Sequence, residues 1–90
     1  MSINWVVVYN RLFALINKPQ TYFSGPRFID VIREFDSEFP DYYRFIDIRR
    51  KKGQSTSRKD YFEEIIMSFG DLQRIEVVNR ILEECKICLL

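Results

Sequence analysis

The apolar residues of this chain recur at helical spacing along almost its whole length, and that periodicity leaves one fold class open. In the segment FIDVIREF, Phe28, Val31, Ile32 and Phe35 stand at i, i+3, i+4 and i+7, so one face of a helix is apolar and the other charged. Strand-type alternation is absent. The expected fold is all-α, a bundle of about five short helices in a death-like or helix-turn-helix-like arrangement, with residues 1–90 as one domain. At this length, a chain buries only about 60 to 65% of its unfolded surface, so stability is expected to be modest.

Local signals divide the chain. The spacing predicts a first helix from about Ile3 to Asn17, with Val6, Leu12, Phe13 and Ile16 on one face and Pro19 marking its end. A loop, KPQTYFS, follows. Ser24 is the expected N-cap of a second helix, with Pro26 in the first turn, where a missing N–H is harmless. Pro40 is read as the start of a third helix, with Tyr42, Phe45 and Ile46 inward and Gly53 as its terminator. Ser57 opens a fourth helix carrying Phe62, Ile65, Ile66 and Phe69. Gly70 and Asp71 lead into a fifth, through Ile75, Val78, Ile81, Leu82 and Cys85. The predicted core is Phe28, Ile32, Phe35, Phe62, Ile66, Phe69, Val78 and Leu82.

The second and fourth helices share a pattern, FIDVIREF from Phe28 and FEEIIMSF from Phe62, offset by 34 residues. Two copies are fewer than a solenoid needs, and the flanking segments do not match, so the likeness is read as two amphipathic core helices rather than a repeat.

Charge is distributed more tellingly than its net value of +1 suggests. Between Asp30 and Asp47 six acids face two bases, whereas Arg49 to Lys59 holds six bases and no acid. In the basic stretch, Arg49, Arg50, Lys51 and Lys52 fall in the last turn of helix three, where cations meet the negative end of the helix dipole. Ser57 and Asp60 are spaced as a capping box in its carboxylate form. Arg58 and Lys59 lie at the first positions of helix four, where the dipole disfavours cations, so an anion is expected to hold them there. The candidate basic site is Arg49, Arg50, Lys52, Ser57, Arg58 and Lys59; the candidate acidic surface is Asp36, Glu38, Asp41 and Asp47. Joined between molecules, two such surfaces would propagate head to tail. Paired within one molecule, they would neutralise each other.

Several chemistries lack their residues. With no His and only Cys85 and Cys88 as thiols, one chain cannot assemble a zinc site, and the histidine-based triads and general bases are missing. Cys85 is expected in the core and Cys88 in a fraying tail, both unbridged. The three glycines stand singly, so there is no glycine-rich phosphate loop. No cofactor, metal or catalytic activity is expected. No apolar run approaches the length of a membrane span and the N-terminus lacks a secretory pattern, which makes a cytoplasmic location the expectation.

The segments TYFSGPRFIDVIREFD, RRKKGQSTSRKDYF and IIMSF resemble the small N-terminal helical modules of bacterial abortive-infection proteins, the AbiJ type among them, over residues 21–85. In that family such modules precede a toxic effector, often a HEPN-type RNase domain, and sense or couple rather than catalyse. The resemblance implies a defence-associated interaction module whose partner is protein, either another copy or an effector. The alternative is a nucleic-acid sensor using the basic corner between helices three and four, with Tyr61 as a stacking neighbour. Near-neutral net charge and Glu63 and Glu64 on helix four weigh against it.

Overall fold

The structure is a computed structural model and describes the backbone of residues 3–89 and the side chains of residues 3–85. Five α-helices follow one another: α1 (Trp5–Ile16), α2 (Gly25–Phe35), α3 (Tyr42–Lys51), α4 (Arg58–Ser68) and α5 (Asp71–Leu89), with a short 3₁₀ turn, Pro19–Thr21, between α1 and α2. Among the described residues there is no strand, and no helix is long and apolar enough to cross a membrane.

Helix α1 starts later than its periodicity suggests, because Asn4 caps it by accepting from the Val7 N–H at 3.3 Å. Its inward face is Tyr9, Leu12 and Ile16, each at most 4% exposed, whereas Val6 is 58% exposed. The expectation for Val6 is corrected: it lies about 60° round the helix from Tyr9, outside the arc that Tyr9, Leu12 and Ile16 form. The Tyr9 hydroxyl donates to the Lys59 carbonyl at 2.6 Å, tying α1 to the first turn of α4.

The segment KPQTYFS is a packed connector rather than a loose loop. Thr21 and Phe23 are buried, the Phe23 N–H donates to the Ile16 carbonyl at 2.9 Å, and the Thr21 hydroxyl donates to the Leu15 carbonyl. The α5 thiol of Cys85, itself 3% exposed, points at the Thr21 carbonyl at 3.8 Å. Cys85 is thus in the core as expected, while the side chain of Cys88 lies outside the described residues.

The helix caps place the remaining elements. Ser24 accepts from the Arg27 N–H at 3.2 Å, as expected of its N-cap position. Asp41, not Pro40, opens α3, its carboxylate accepting from the Arg44 N–H at 2.9 Å; Pro40 lies just outside, in the entry turn. At the other end of α3, Gly53 adopts φ +70°. The Gln54 N–H reaches the Arg49 carbonyl at 2.9 Å and the Gly53 N–H that of Arg50 at 3.1 Å, the paired bonds of a Schellman motif.

Helices α2 and α4 meet through the centre of the core. Phe28 and Phe62 stack with centroids 3.8 Å apart and planes 11° from parallel, and Phe35 and Phe69 meet edge to face at 6.4 Å. The first and last positions of the shared sequence pattern therefore pair in register. Of the predicted core, Phe28, Ile32, Phe62 and Ile66 are buried, while Phe35, Phe69, Val78 and Leu82 are partly covered and flank it. On α5 the fully buried positions are Val77 and Ile81, one step around the helix from Val78 and Leu82.

Candidate interaction surface

The basic stretch splits into two kinds of cation. Arg49 is buried, its side chain only 7% exposed; its Nε donates to the Ser55 carbonyl at 2.5 Å and its Nη2 to the Glu64 carboxylate at 2.7 Å. Arg58 points back across the molecule. Its Nε and Nη2 donate to the Phe23 carbonyl at 3.1 and 2.6 Å, its Nη1 donates to the Asn17 side-chain oxygen at 2.9 Å, and its guanidinium lies 4.3 Å from the centre of the Tyr22 ring. The expectation that an anion holds Arg58 at the unfavourable end of α4 is thereby corrected: a backbone carbonyl, an amide oxygen and an aromatic face hold it.

Arg58 is one of four arginines that cap or staple backbone. Arg49 takes the Ser55 carbonyl; Arg27 takes those of Tyr22 and Glu84; Arg74 reaches the Ile66, Met67 and Phe69 carbonyls at the end of α4 while lying over the Trp5 ring. A planar guanidinium with several fixed donors can serve two or three orphan carbonyls at once, which an ammonium cannot do in the same geometry.

Arg50, Lys52 and Lys59 are exposed, and among the described residues their side chains have no hydrogen bond or ion pair. Lys51 is engaged by Asp47 at 3.0 Å, one turn back on α3. Three cations are thus presented on a corner whose backbone is held by the Schellman turn below and by Arg49 and Arg58 on either side.

The predicted capping box at Ser57 is corrected too. The Ser57 hydroxyl makes no capping hydrogen bond. Instead the Ser55 hydroxyl accepts from the Ser57 N–H at 3.1 Å and donates to the Asp60 carboxylate at 2.7 Å. One hydroxyl two residues earlier bridges the Ser57 N–H and the Asp60 carboxylate, because the turn after Gly53 brings it over the start of α4. Beside it, a hollow of about 350 Å³ is lined by Arg49, Gln54, Ser55, Asp60, Glu63 and Glu64, so the inner side of the basic corner carries carboxylates.

Most of the acidic candidates already have local partners. Asp41 caps α3, Asp36 accepts from the Glu38 N–H at 3.1 Å, and Asp47 pairs with Lys51. Glu38 alone of the four is exposed with a carboxylate that has no partner among the described residues. The alternative, neutralisation between the acidic and basic segments within one molecule, amounts among the described residues to the Asp47–Lys51 pair.

Tyr61, the proposed stacking neighbour, is 1% exposed and is not on the surface. Its hydroxyl has no hydrogen-bond partner and its pKa is pushed up to about 12, first by burial and then by the neighbouring Tyr42 phenol. That hydroxyl lies against Gly25, where a Cβ would collide with it and meet Tyr42 Cε1 at 2.5 Å. Sequence reasoning missed this contact, since the spacing of Gly25 gives no sign of a tyrosine 36 positions away.

Among the described residues no three His, Cys, Asp or Glu side chains are grouped to hold a metal ion. No family model matches the chain, and neither a curated protein nor a solved structure matches it.

Proposed function

We propose that this chain is a non-catalytic protein-interaction module that docks the α3–α4 corner onto an acidic surface of another protein. The observation that carries the reading is the contrast within one twelve-residue stretch: Arg49 and Arg58 are consumed in holding the corner, while Arg50, Lys52 and Lys59 stand exposed and unpaired on it. Cations fixed on a rigid backbone lose less freedom on binding than cations on a mobile tail, and complementary charge steers association.

Local engagement of Asp36, Asp41 and Asp47 favours a separate acidic partner over head-to-tail contact between copies. The likeness of GQSTSRKDYF to the abortive-infection modules supports a bacterial antiviral setting, with an effector as that partner. Burial of Tyr61 removes the aromatic platform that a nucleic-acid reading would use.

The test is binding of a glutamate-rich peptide and of a single-stranded oligonucleotide of equal length, followed by fluorescence anisotropy at 150 mM salt. Wild type should bind the peptide more tightly, and reversing Arg50, Lys52 and Lys59 to Glu together should weaken it at least tenfold while leaving the melting curve in place. Tighter binding of the oligonucleotide would overturn the reading in favour of a nucleic-acid sensor.

A further inference from the structure

Residues 52–57 join α3 to α4, are exposed throughout and carry three hydroxyls, Ser55, Thr56 and Ser57. Of the three, only Ser55 has cations both three and five positions before it, Lys52 and Arg50. Both cations are exposed and have no hydrogen bond or ion pair among the described residues, so a second protein can grip them without breaking a contact. A serine/threonine kinase whose peptide groove carries carboxylates selects its acceptor by charge patterns of this kind.

Ser55 also stands where a phosphate changes most. Its hydroxyl accepts from the Ser57 N–H at 3.1 Å and donates to the Asp60 carboxylate at 2.7 Å. Esterification removes the proton that Asp60 receives and sets a group of about −1.5 to −2 charge against that carboxylate, in a hollow that Glu63 and Glu64 also line. The cation lining that hollow, Arg49, is already engaged by Glu64 and the Ser55 carbonyl. Repulsion therefore turns the phosphate outward, to the side where Arg50, Lys52 and Lys59 are exposed, and it offsets about two of their charges.

We infer that Ser55 is a phosphoacceptor whose modification loosens the start of α4 and closes the corner to an acidic partner. In the transfer the Ser55 Oγ bonds to the γ-phosphorus of ATP held by the kinase and the bond to the β-phosphate oxygen breaks. ADP leaves, and the hydroxyl proton passes to the kinase's general base. The loss of docking rests on the corner reading; the acceptor site and the loosening of α4 do not.

The full chain is incubated with Mg-ATP and a serine/threonine kinase selective for basic residues at the third and fifth positions before the acceptor. Peptide mass mapping should find one phosphoryl group, on Ser55. Ser55→Ala should take none, and Arg50→Ala combined with Lys52→Ala should slow transfer at least tenfold. In the phosphorylated chain the amides of residues 57–61 should exchange hydrogen faster, and the glutamate-rich peptide should bind at least tenfold more weakly. Ser55→Ala breaks the same bridge without adding charge, so it should exchange faster too, yet bind the peptide as wild type does. Transfer to Thr56 or Ser57, no transfer, unchanged exchange after transfer, or undiminished peptide binding by the phosphorylated chain would overturn the inference. Failure of the unmodified chain to bind the peptide, with Ser55 phosphorylated and exchange raised, would sink the corner reading and keep the acceptor site.

Discussion

Arg58 donates from two nitrogens to the carbonyl oxygen of Phe23, at 3.1 and 2.6 Å, and so joins the first turn of α4 to the connector before α2. Its guanidinium is also sandwiched near Tyr22, Phe13 and Phe62. The cation that looks most misplaced along the chain is a structural tie between segments 35 residues apart.

Replacing Arg58 by Lys should therefore not be conservative. An ammonium cannot reproduce the forked contact to one carbonyl together with the Asn17 bond, and loss of charge-assisted hydrogen bonds of this kind costs about 1.5 to 3 kcal/mol. Urea unfolding should show an earlier midpoint with an unchanged slope. A midpoint equal to wild type would mean the tie contributes nothing.

Adjacent residues Arg49 and Arg50 should behave in opposite ways. Arg49→Ala leaves the Ser55 carbonyl and the Glu64 carboxylate without their partner, removes a buried side chain and should destabilise by about 2 to 3 kcal/mol. Arg50→Ala, on the exposed side, should shift stability by no more than about 0.5 kcal/mol. Thermal melts of the two variants in parallel decide it.

At Gly25 a methyl group would strike the Tyr61 hydroxyl and the Tyr42 ring. Gly25→Ala should destabilise by about 1 to 3 kcal/mol, the usual range for overpacking. Tyr61→Phe removes a buried hydroxyl that has no partner and should be neutral or stabilising by about 1 kcal/mol. In a double-mutant cycle, Tyr61→Phe should recover part of the Gly25→Ala loss, since the Tyr42 contact remains. Strict additivity would refute the contact.

Alkaline conditions should unfold the protein. Tyr61 is raised from 10.0 to about 12 and Tyr9 is raised still further, in both cases chiefly by burial. Because the folded state holds these protons more tightly than the unfolded one, stability is intact below pH 10 and falls above it, by about 1.4 kcal/mol per pH unit for each phenol. Tyrosinate absorbance and helical ellipticity should change together above pH 10, and Tyr61→Phe should flatten the loss. On the acid side, Glu84 is held below its ordinary value by hydrogen bonds from Arg80 and then Arg27, so its contribution is present above pH 4.5 and is lost as pH falls further. Glu84→Gln should reduce the slope of acid unfolding.

Periodicity and punctuation in the chain determined the helices, because turn-by-turn burial and capping are local. Ser24, Gly53 and the Phe28–Phe35 stripe act within one element, and each stands where its neighbours in sequence require. Helix starts moved by a residue or two, where Asn4 caps α1 and Asp41 rather than Pro40 caps α3, whereas α4 keeps Ser57 as its N-cap position and only the capping hydroxyl changes, to that of Ser55.

Tertiary structure decided the fate of the charges and of the apolar residues that the core leaves outside. A guanidinium reaches several ångströms from its own backbone, so whether it faces water, a carboxylate or a distant carbonyl depends on which segment packs beside it. Arg49, Arg50 and Arg58 are alike in the sequence, yet one is buried, one exposed and one a tie between α4 and Phe23. The pairing of Phe28 with Phe62 and the outward turn of Ile75 and Leu72 have the same origin, since a helix with two apolar arcs can bury either one, and only its neighbours select which.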